Sequence, residues 1–213
     1  MKTADWYFDF MSPYAYLQST RLGDIAKHAR LRLKPVLFAG LLNHYGHLGP
    51  AEIRPKRQFV FRQALWLAQR QGITMRLPPA HPFNPLPPLR LALVLGCKIA
   101  AVQTIFNFIW CDGGNVDDPD GWKKLAETTG INPGDQRLTD SAIKQALRES
   151  TDAAIEVGVF GIPTFVVDNE LFWGHDSVDF FFDYLKDPDA TRKNVFDPVD
   201  HLAHGTARRK RPS

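Results

Sequence analysis

The chain has 213 residues, 44% of them hydrophobic and 23% charged, with a formal net charge of +3. That composition fills the core of one large domain, or of a domain with an inserted subdomain, and excludes a disordered or fibrous chain. No apolar stretch reaches the ~18 residues that a membrane span needs. The mild positive charge, part of it in Arg208-Arg209-Lys210-Arg211, comes without the basic–aromatic patch of a nucleic-acid binder and reads as a solubilising end.

Trp6 to Phe10 is predicted to be a first strand, apolar on both faces. Ser12 is a natural N-cap and Pro13 suits a first helical turn. Tyr16, Leu17, Leu22, Ile25, Ala26 and Ala29 then carry a helix to about Arg30. Leu31 to Leu37 alternates apolar and polar residues, so a second strand follows, parallel to the first through a right-handed crossover. From Gly40 the pattern is helical. Arg57 to Gln71 is amphipathic, the prolines between Pro78 and Pro88 mark an extended connector, and Leu89 to Trp110 reads as one long apolar helix. Asp120 to Thr129 and Thr139 to Val157 are further helices, the latter with Thr139 as N-cap. Strand Thr164 to Val167, a turn at Asp168-Asn169-Glu170, strand Leu171 to Trp173 and a helix from Ser177 to Leu185 close the order.

A strand, a polar turn and a helix at Ser12, paired with a late Gly161-Ile162-Pro163-Thr164 step, is how thioredoxin-like proteins build their active face. The expected class is therefore α/β, a thioredoxin-like fold with a large all-helical insertion. Residues 1–39 and 158–190 form the discontinuous scaffold, 40–157 the insertion, and 191–213 a flexible tail. Redox members carry Cys-x-x-Cys at the first turn. Here that turn is Ser12-Pro13-Tyr14-Ala15, so dithiol–disulfide chemistry is unavailable. Cys97 and Cys111, the only cysteines, lie in a helical stretch and suggest no disulfide framework, which points to a cytoplasmic protein.

Each polar residue of interest has two readings. Ser12 stands where backbone N–H groups are unpaired and the helix dipole is positive, so its hydroxyl suits a bound thiolate; equally, it simply caps the helix. Ile162-Pro163 is expected to be a cis peptide that leaves the Ile162 backbone edge open to an extended ligand, against a trans proline that merely opens a strand. Lys56, between Arg54 and Arg57, could hold a carboxylate or belong to a solvated basic face. Asp176 could accept from an amine or serve as an acidic residue at a helix start. His44 and His47 lie in a glycine-flanked loop without further ligands at metal spacing, which argues against a metal site.

These motifs together resemble the 2-hydroxychromene-2-carboxylate isomerase family, kin of kappa-class glutathione transferases within the DsbA-related thioredoxin group. The matching stretches are Phe8 to Leu17, Gly46 to Pro50, His81 to Asn84, Trp110 to Gly113, Gly158 to Thr164 and Phe172 to Asp176, in family order. The resemblance implies glutathione as cofactor. It places Ser12 at the glutathione sulfur, Ile162 beside Pro163 at the cysteinyl backbone, Asp176 at the γ-glutamyl end and Lys56 as the lysine of the insertion. Two positions depart from the family: His47 stands for an asparagine and Ser177 for an arginine. His47 is expected at the edge of the cleft, at least partly exposed.

The resemblance also implies a reaction, the interconversion of 2-hydroxychromene-2-carboxylate and trans-o-hydroxybenzylidenepyruvate or a close analogue in aromatic catabolism. It implies a homodimer acting on a small aromatic substrate, with no nucleic-acid or membrane partner. A kappa-like transferase that conjugates electrophiles needs the same thiolate and is the first alternative. A non-catalytic thiol- or peptide-binding module is the second.

Overall fold

The computed structural model describes residues 1–203 and Gly205, so the basic run Arg208–Arg211 lies outside it. Strand β1 (Thr3–Phe8) is buried on both faces from Trp6 onward, which is why Trp6, Tyr7 and Phe8 read as an apolar run. Ala4, Trp6 and Phe8 join the larger core, whereas Tyr7 packs on the opposite face with Val36, Leu41, Val159 and Ile162. β2 (Arg30–Pro35) lies parallel to β1 with Trp6 opposite Leu33. β3 (Thr164–Val167) runs antiparallel on the other side of β1, and β4 (Glu170–Trp173) forms the edge, giving the order β2-β1-β3-β4. The β3–β4 hairpin turns through Asp168 and Asn169, both at positive φ (52° and 66°), the backbone that a two-residue hairpin requires.

Helices α1 (Pro13–Ser19) and α2 (Leu22–Ile25) connect β1 to β2. Between β2 and β3 come α3 (Phe38–Tyr45), α4 (Arg54–Arg70), α5 (Leu86–Val94), α6 (Ile99–Phe106), α7 (Pro119–Thr128) and α8 (Ser141–Glu156). α9 (Val178–Lys186) follows β4. Phe106 locks this helical segment onto the sheet, its ring 4.6 Å from that of Phe10 and 5.9 Å from that of Phe8. The chain is thus a thioredoxin-like α/β fold with a helical insertion.

Local boundaries differ from expectation for identifiable reasons. The first helix does not run to Arg30. Ser19 and Thr20 turn their hydroxyls back onto the carbonyls of Tyr16 and Leu17, competing with the helical ladder. The long helix over Leu89 to Trp110 is two helices. Gly96 and Cys97 both take positive φ and close α5 with bonds to Leu93 and Ala92. Pro87 and Pro88 sit inside the first turn of α5 rather than in a connector, where a missing N–H costs nothing. Thr139 ends a short 3₁₀ turn, and Asp140 caps α8 by accepting from Ala142 N. Beyond α9, Pro188–Thr191 and Asp197–Asp200 are helical, and the Phe196 ring stacks on Tyr184 at 5.9 Å. Residues 192–200, expected within the tail, thus carry helical backbone. No helix among the described residues is long and apolar enough to cross a membrane.

At the end of β1, Asp9 is fully buried. Its Oδ1 accepts from Met11 N at 3.1 Å and its Oδ2 from Phe38 N at 3.0 Å, while its carbonyl accepts from Ser12 N at 3.1 Å. Burial pushes its carboxyl up from 3.8 to about 6, and the amide donors only partly offset this. The folded state therefore holds a proton that the unfolded state has released between these two values, and stability falls as pH rises through that window. The gap of about two pH units corresponds to about 3 kcal/mol. Wild type is expected to lose about 3 kcal/mol relative to Asp9→Asn between about pH 4 and pH 7, read from urea unfolding at each pH. A difference that does not vary with pH would show that Asp9 titrates as an ordinary carboxylate.

Candidate functional site

Ser12 has extended backbone (φ −86°, ψ 117°), and its Oγ accepts from Ala15 N at 3.1 Å, so it does cap α1. The remaining donors of this turn can be counted. Pro13 has no N–H, Ala15 N is held by Ser12 Oγ, and Tyr16 N by Ser12 O. Among the described residues, the Tyr14 N–H and the Ser12 hydroxyl proton have no acceptor. Capping uses a lone pair of the hydroxyl and leaves its proton free, so the cap and an anion contact are compatible.

Downstream, the Ile162-Pro163 peptide is cis, as the sequence led us to expect. Pro163 O accepts from Gly174 N at 2.8 Å and Gly161 O from Thr164 Oγ1 at 2.7 Å. Ile162 N–H and C=O take no partner among the described residues, although its side chain is buried. An unpaired peptide edge of this kind asks for a peptide-like ligand.

The late turn is held from the sheet. Trp6 Nε1 donates to Gln18 Oε1 at 2.6 Å, and Gln18 Nε2 donates to Gly174 O at 3.1 Å, with Gln18 fully buried. Gly174 sits at φ 95°, and a Cβ there would lie 2.6 Å from Asp176 Oδ1, so glycine is required for Asp176 to take its place. Ser177 donates its hydroxyl to Gly174 O at 2.9 Å and serves the turn itself.

A groove of about 590 Å³, a volume typical of small-molecule sites, runs between this turn and α4. Ile162, Trp173 and Asp176 line one wall, and Gln63, Leu67 and Gln71, one helical turn apart, line the other. Tyr14 spans them, donating from its hydroxyl to Gln63 Oε1 at 2.6 Å. Gln71 Nε2 lies 2.9 Å from His175 Nε2, which places the ring proton on Nδ1, buried and without a partner among the described residues. Burial, with the Arg21 charge nearby, holds His175 below the usual histidine range. Arg21 lines the groove too, tied only loosely to exposed Asp179 at 3.8 Å.

The groove therefore brings together Ile162 and Asp176, whereas Ser12, Pro163 and Ser177 do not line it and only Tyr14 links it to the Ser12 turn. His47 and Lys56 are exposed and line no part of this groove. Lys56 does lie seven residues before Gln63 on α4, hence on the same helix face and about 10 Å along it. Gln18, Arg21 and Gln71 were not singled out from the sequence, because polar residues in helices carry no periodic signal and only the fold gives them partners.

The DSBA-like thioredoxin domain family matches residues 3–186, and the chain belongs to it. It is 28% identical over 193 residues to a 2-hydroxychromene-2-carboxylate isomerase of Sphingobium xenophagum, covering 87% of this chain and 99% of that protein. It is 25% identical to glutathione S-transferase kappa 2 of Caenorhabditis elegans, covering 88% and 93% of the two chains. A solved 2-hydroxychromene-2-carboxylate isomerase superposes with a TM-score of 0.78 at 25% identity, covering 94% of this chain and 100% of that one.

The Trp173 wall depends on Gly161. A Cβ at residue 161 would fall 2.5 Å from Trp173 Nε1 and 3.1 Å from its Cε2. Gly161→Ala is expected to displace the indole and cost about 1–3 kcal/mol. The check is thermal unfolding together with Trp173 fluorescence, read against Trp173→Phe as a blank. An unchanged Trp173 emission would show that the wall adapts without moving.

Proposed function

We propose that this chain is a glutathione-dependent isomerase of the 2-hydroxychromene-2-carboxylate type, acting on that compound or a close aromatic analogue. The observation that carries the proposal is Ser12, a hydroxyl with an uncommitted proton at the position where redox relatives of this fold carry a thiol. The relatives named as isomerases and kappa transferases support the reading at the level of reaction class.

The residues present fit glutathione. The unpaired N–H and C=O of Ile162 suit the cysteinyl backbone, and Asp176 suits the α-ammonium of the γ-glutamyl end. Lys56, on the same α4 face as Gln63, suits a terminal carboxylate about 10 Å away along the helix. When bound, glutathione supplies a thiolate able to add to a conjugated carbon and leave again after bond rotation. Ser12 would donate a hydrogen bond from its hydroxyl to that sulfur, with the Tyr14 N–H as a second donor beside it. Gln63 and Tyr14 hold each other and keep the α4 wall at a fixed distance from α1. Trp173 and Phe160, with rings 5.0 Å apart and both partly exposed, offer an aromatic edge at the groove.

The reading carries a cytoplasmic setting, where thiols such as Cys97 and Cys111 stay reduced. It also carries a homodimer, as in the family it resembles. Product analysis separates isomerase from transferase: glutathione is unchanged in the first and consumed in the second. Turnover of neither isomerase substrate nor electrophile would leave a binding module.

Ser12 gives the sharpest test. A hydrogen bond to a charged sulfur contributes about 1.5–3 kcal/mol, and about 1.4 kcal/mol corresponds to one pH unit. Ser12→Ala is expected to raise the pKa of bound glutathione by about one to two units. Turnover should fall most near neutral pH and recover under alkaline conditions, while glutathione affinity changes less. Thiolate absorbance titrated in both proteins is the measurement, and superimposed curves would reduce Ser12 to a helix cap.

A further inference from the structure

The sequence motif His81-Pro82-Phe83-Asn84 has no part in the groove just described, yet it reaches the Ser12 turn. His81 Nε2 lies 2.9 Å from the carbonyl oxygen of Met11, the residue immediately before Ser12. Since a carbonyl only accepts, Nε2 carries the proton, and a neutral ring then leaves Nδ1 bare. Nδ1 is buried and has no partner among the described residues. The ring is boxed by aromatic faces: Phe61 edge-on at 5.0 Å, and Phe83 and Trp110 at 6.0 Å. Among the described residues, the charged group set against it is Arg57 of α4, whose guanidinium donates to the His81 carbonyl at 3.0 Å and covers the Phe61 ring. Burial holds the imidazole below its usual range, and the Arg57 charge adds to that effect.

The preceding carbonyl is held in the same manner. Trp110 Nε1 donates to Phe10 O at 2.8 Å in a buried bond. Two consecutive carbonyls before Ser12 are therefore gripped by rings of the helical insertion, while the N–H groups of Met11 and Ser12 bond to Asp9 on the other side. The turn has no slack in either direction. A functional hydroxyl has to be kept within about 0.5 Å of its working position by groups that are themselves locked.

We propose that His81 is a positioning residue for Ser12, acting from the helical insertion through the Met11 carbonyl as the Nε2–H tautomer. The inference rests on the functional reading of Ser12 given above. Its consequence is that the insertion, besides walling the groove, tunes the thiol chemistry by fixing the backbone on which Ser12 stands. A plain core role would affect stability without reaching the sulfur.

The test compares wild type with His81→Leu and with His81→Gln, whose Nε2 can replace the imidazole donor. Amide hydrogen exchange is followed at Met11 and Ser12, with Ile155 in α8 as a remote control. In His81→Leu, exchange at Met11 and Ser12 is expected to quicken about tenfold while Ile155 is unchanged. The pKa of bound glutathione, read from thiolate absorbance, should rise by about half a unit to one unit. Affinity for S-methylglutathione, which has no thiol, should stay within about twofold. His81→Gln should restore both exchange and titration. Unchanged exchange in His81→Leu overturns the proposal, as does faster exchange with an unmoved thiol pKa, which would make His81 a stability residue alone. If wild type does not take up glutathione, the reading of Ser12 as a thiolate partner falls, and the link from His81 to that chemistry falls with it. If wild type takes it up and only the His81 comparison fails, the functional reading stands.

Discussion

The buried carboxylate of Asp9 is the constraint on which the rest of the structure turns. One side chain accepts from Met11 N in the Ser12 turn and from Phe38 N at the start of α3. It thereby ties the end of β1 both to the candidate site and to the first residue of α3. Burying a carboxylate is unfavourable, and here only backbone amides compensate it. What it gains is position. An apolar residue would leave two backbone donors unpaired inside the protein, each costing about 1–3 kcal/mol.

From that anchor the site assembles by opposition of two parts of the chain. The scaffold contributes a free peptide edge at Ile162 and an acidic turn at Asp176, both fixed by hydrogen bonds that originate in the sheet. The insertion contributes one face of α4, with Gln63, Leu67 and Gln71 in register along it. Neither part forms a groove alone. Phe106 packing on Phe8 and Phe10 seats the insertion on the sheet, and the Tyr14–Gln63 bond holds α4 beside α1.

The same arrangement explains how a redox scaffold can serve without its own thiols at the turn. Cys97 is half-buried, and burial pushes its thiol up to about 11, which leaves it protonated at neutral pH and a poor nucleophile. The turn has features that favour a sulfur anion, a hydroxyl proton and a backbone donor without acceptors among the described residues, and carries serine in place of the sulfur itself. On the proposed function the thiol arrives with the ligand, and the Ile162 edge, unpaired among the described residues, suits a peptide that carries one.

Much of this was legible in the chain. The Asp168-Asn169 turn, the strand from Thr164 to Val167, the cis bond before Pro163 and the Ser12 cap follow from local rules, because each depends on residues within a few positions of one another. The break at Gly96-Cys97 and the cap at Asp140 were missed, since hydrophobic periodicity runs on across a bend that one residue with positive φ can make. The wall formed by Gln71, the Trp6–Gln18–Gly174 relay and the grip of His81 on Met11 had no sequence signature. Those contacts join residues 104, 156 and 70 positions apart, respectively, at the link that matters. The sequence by itself determined which segments turn, cap and alternate, because those are short-range steric and hydrogen-bonding preferences. Only the tertiary structure decided which polar groups meet, because a hydrogen bond needs its partners within about 3 Å, a distance that packing alone sets.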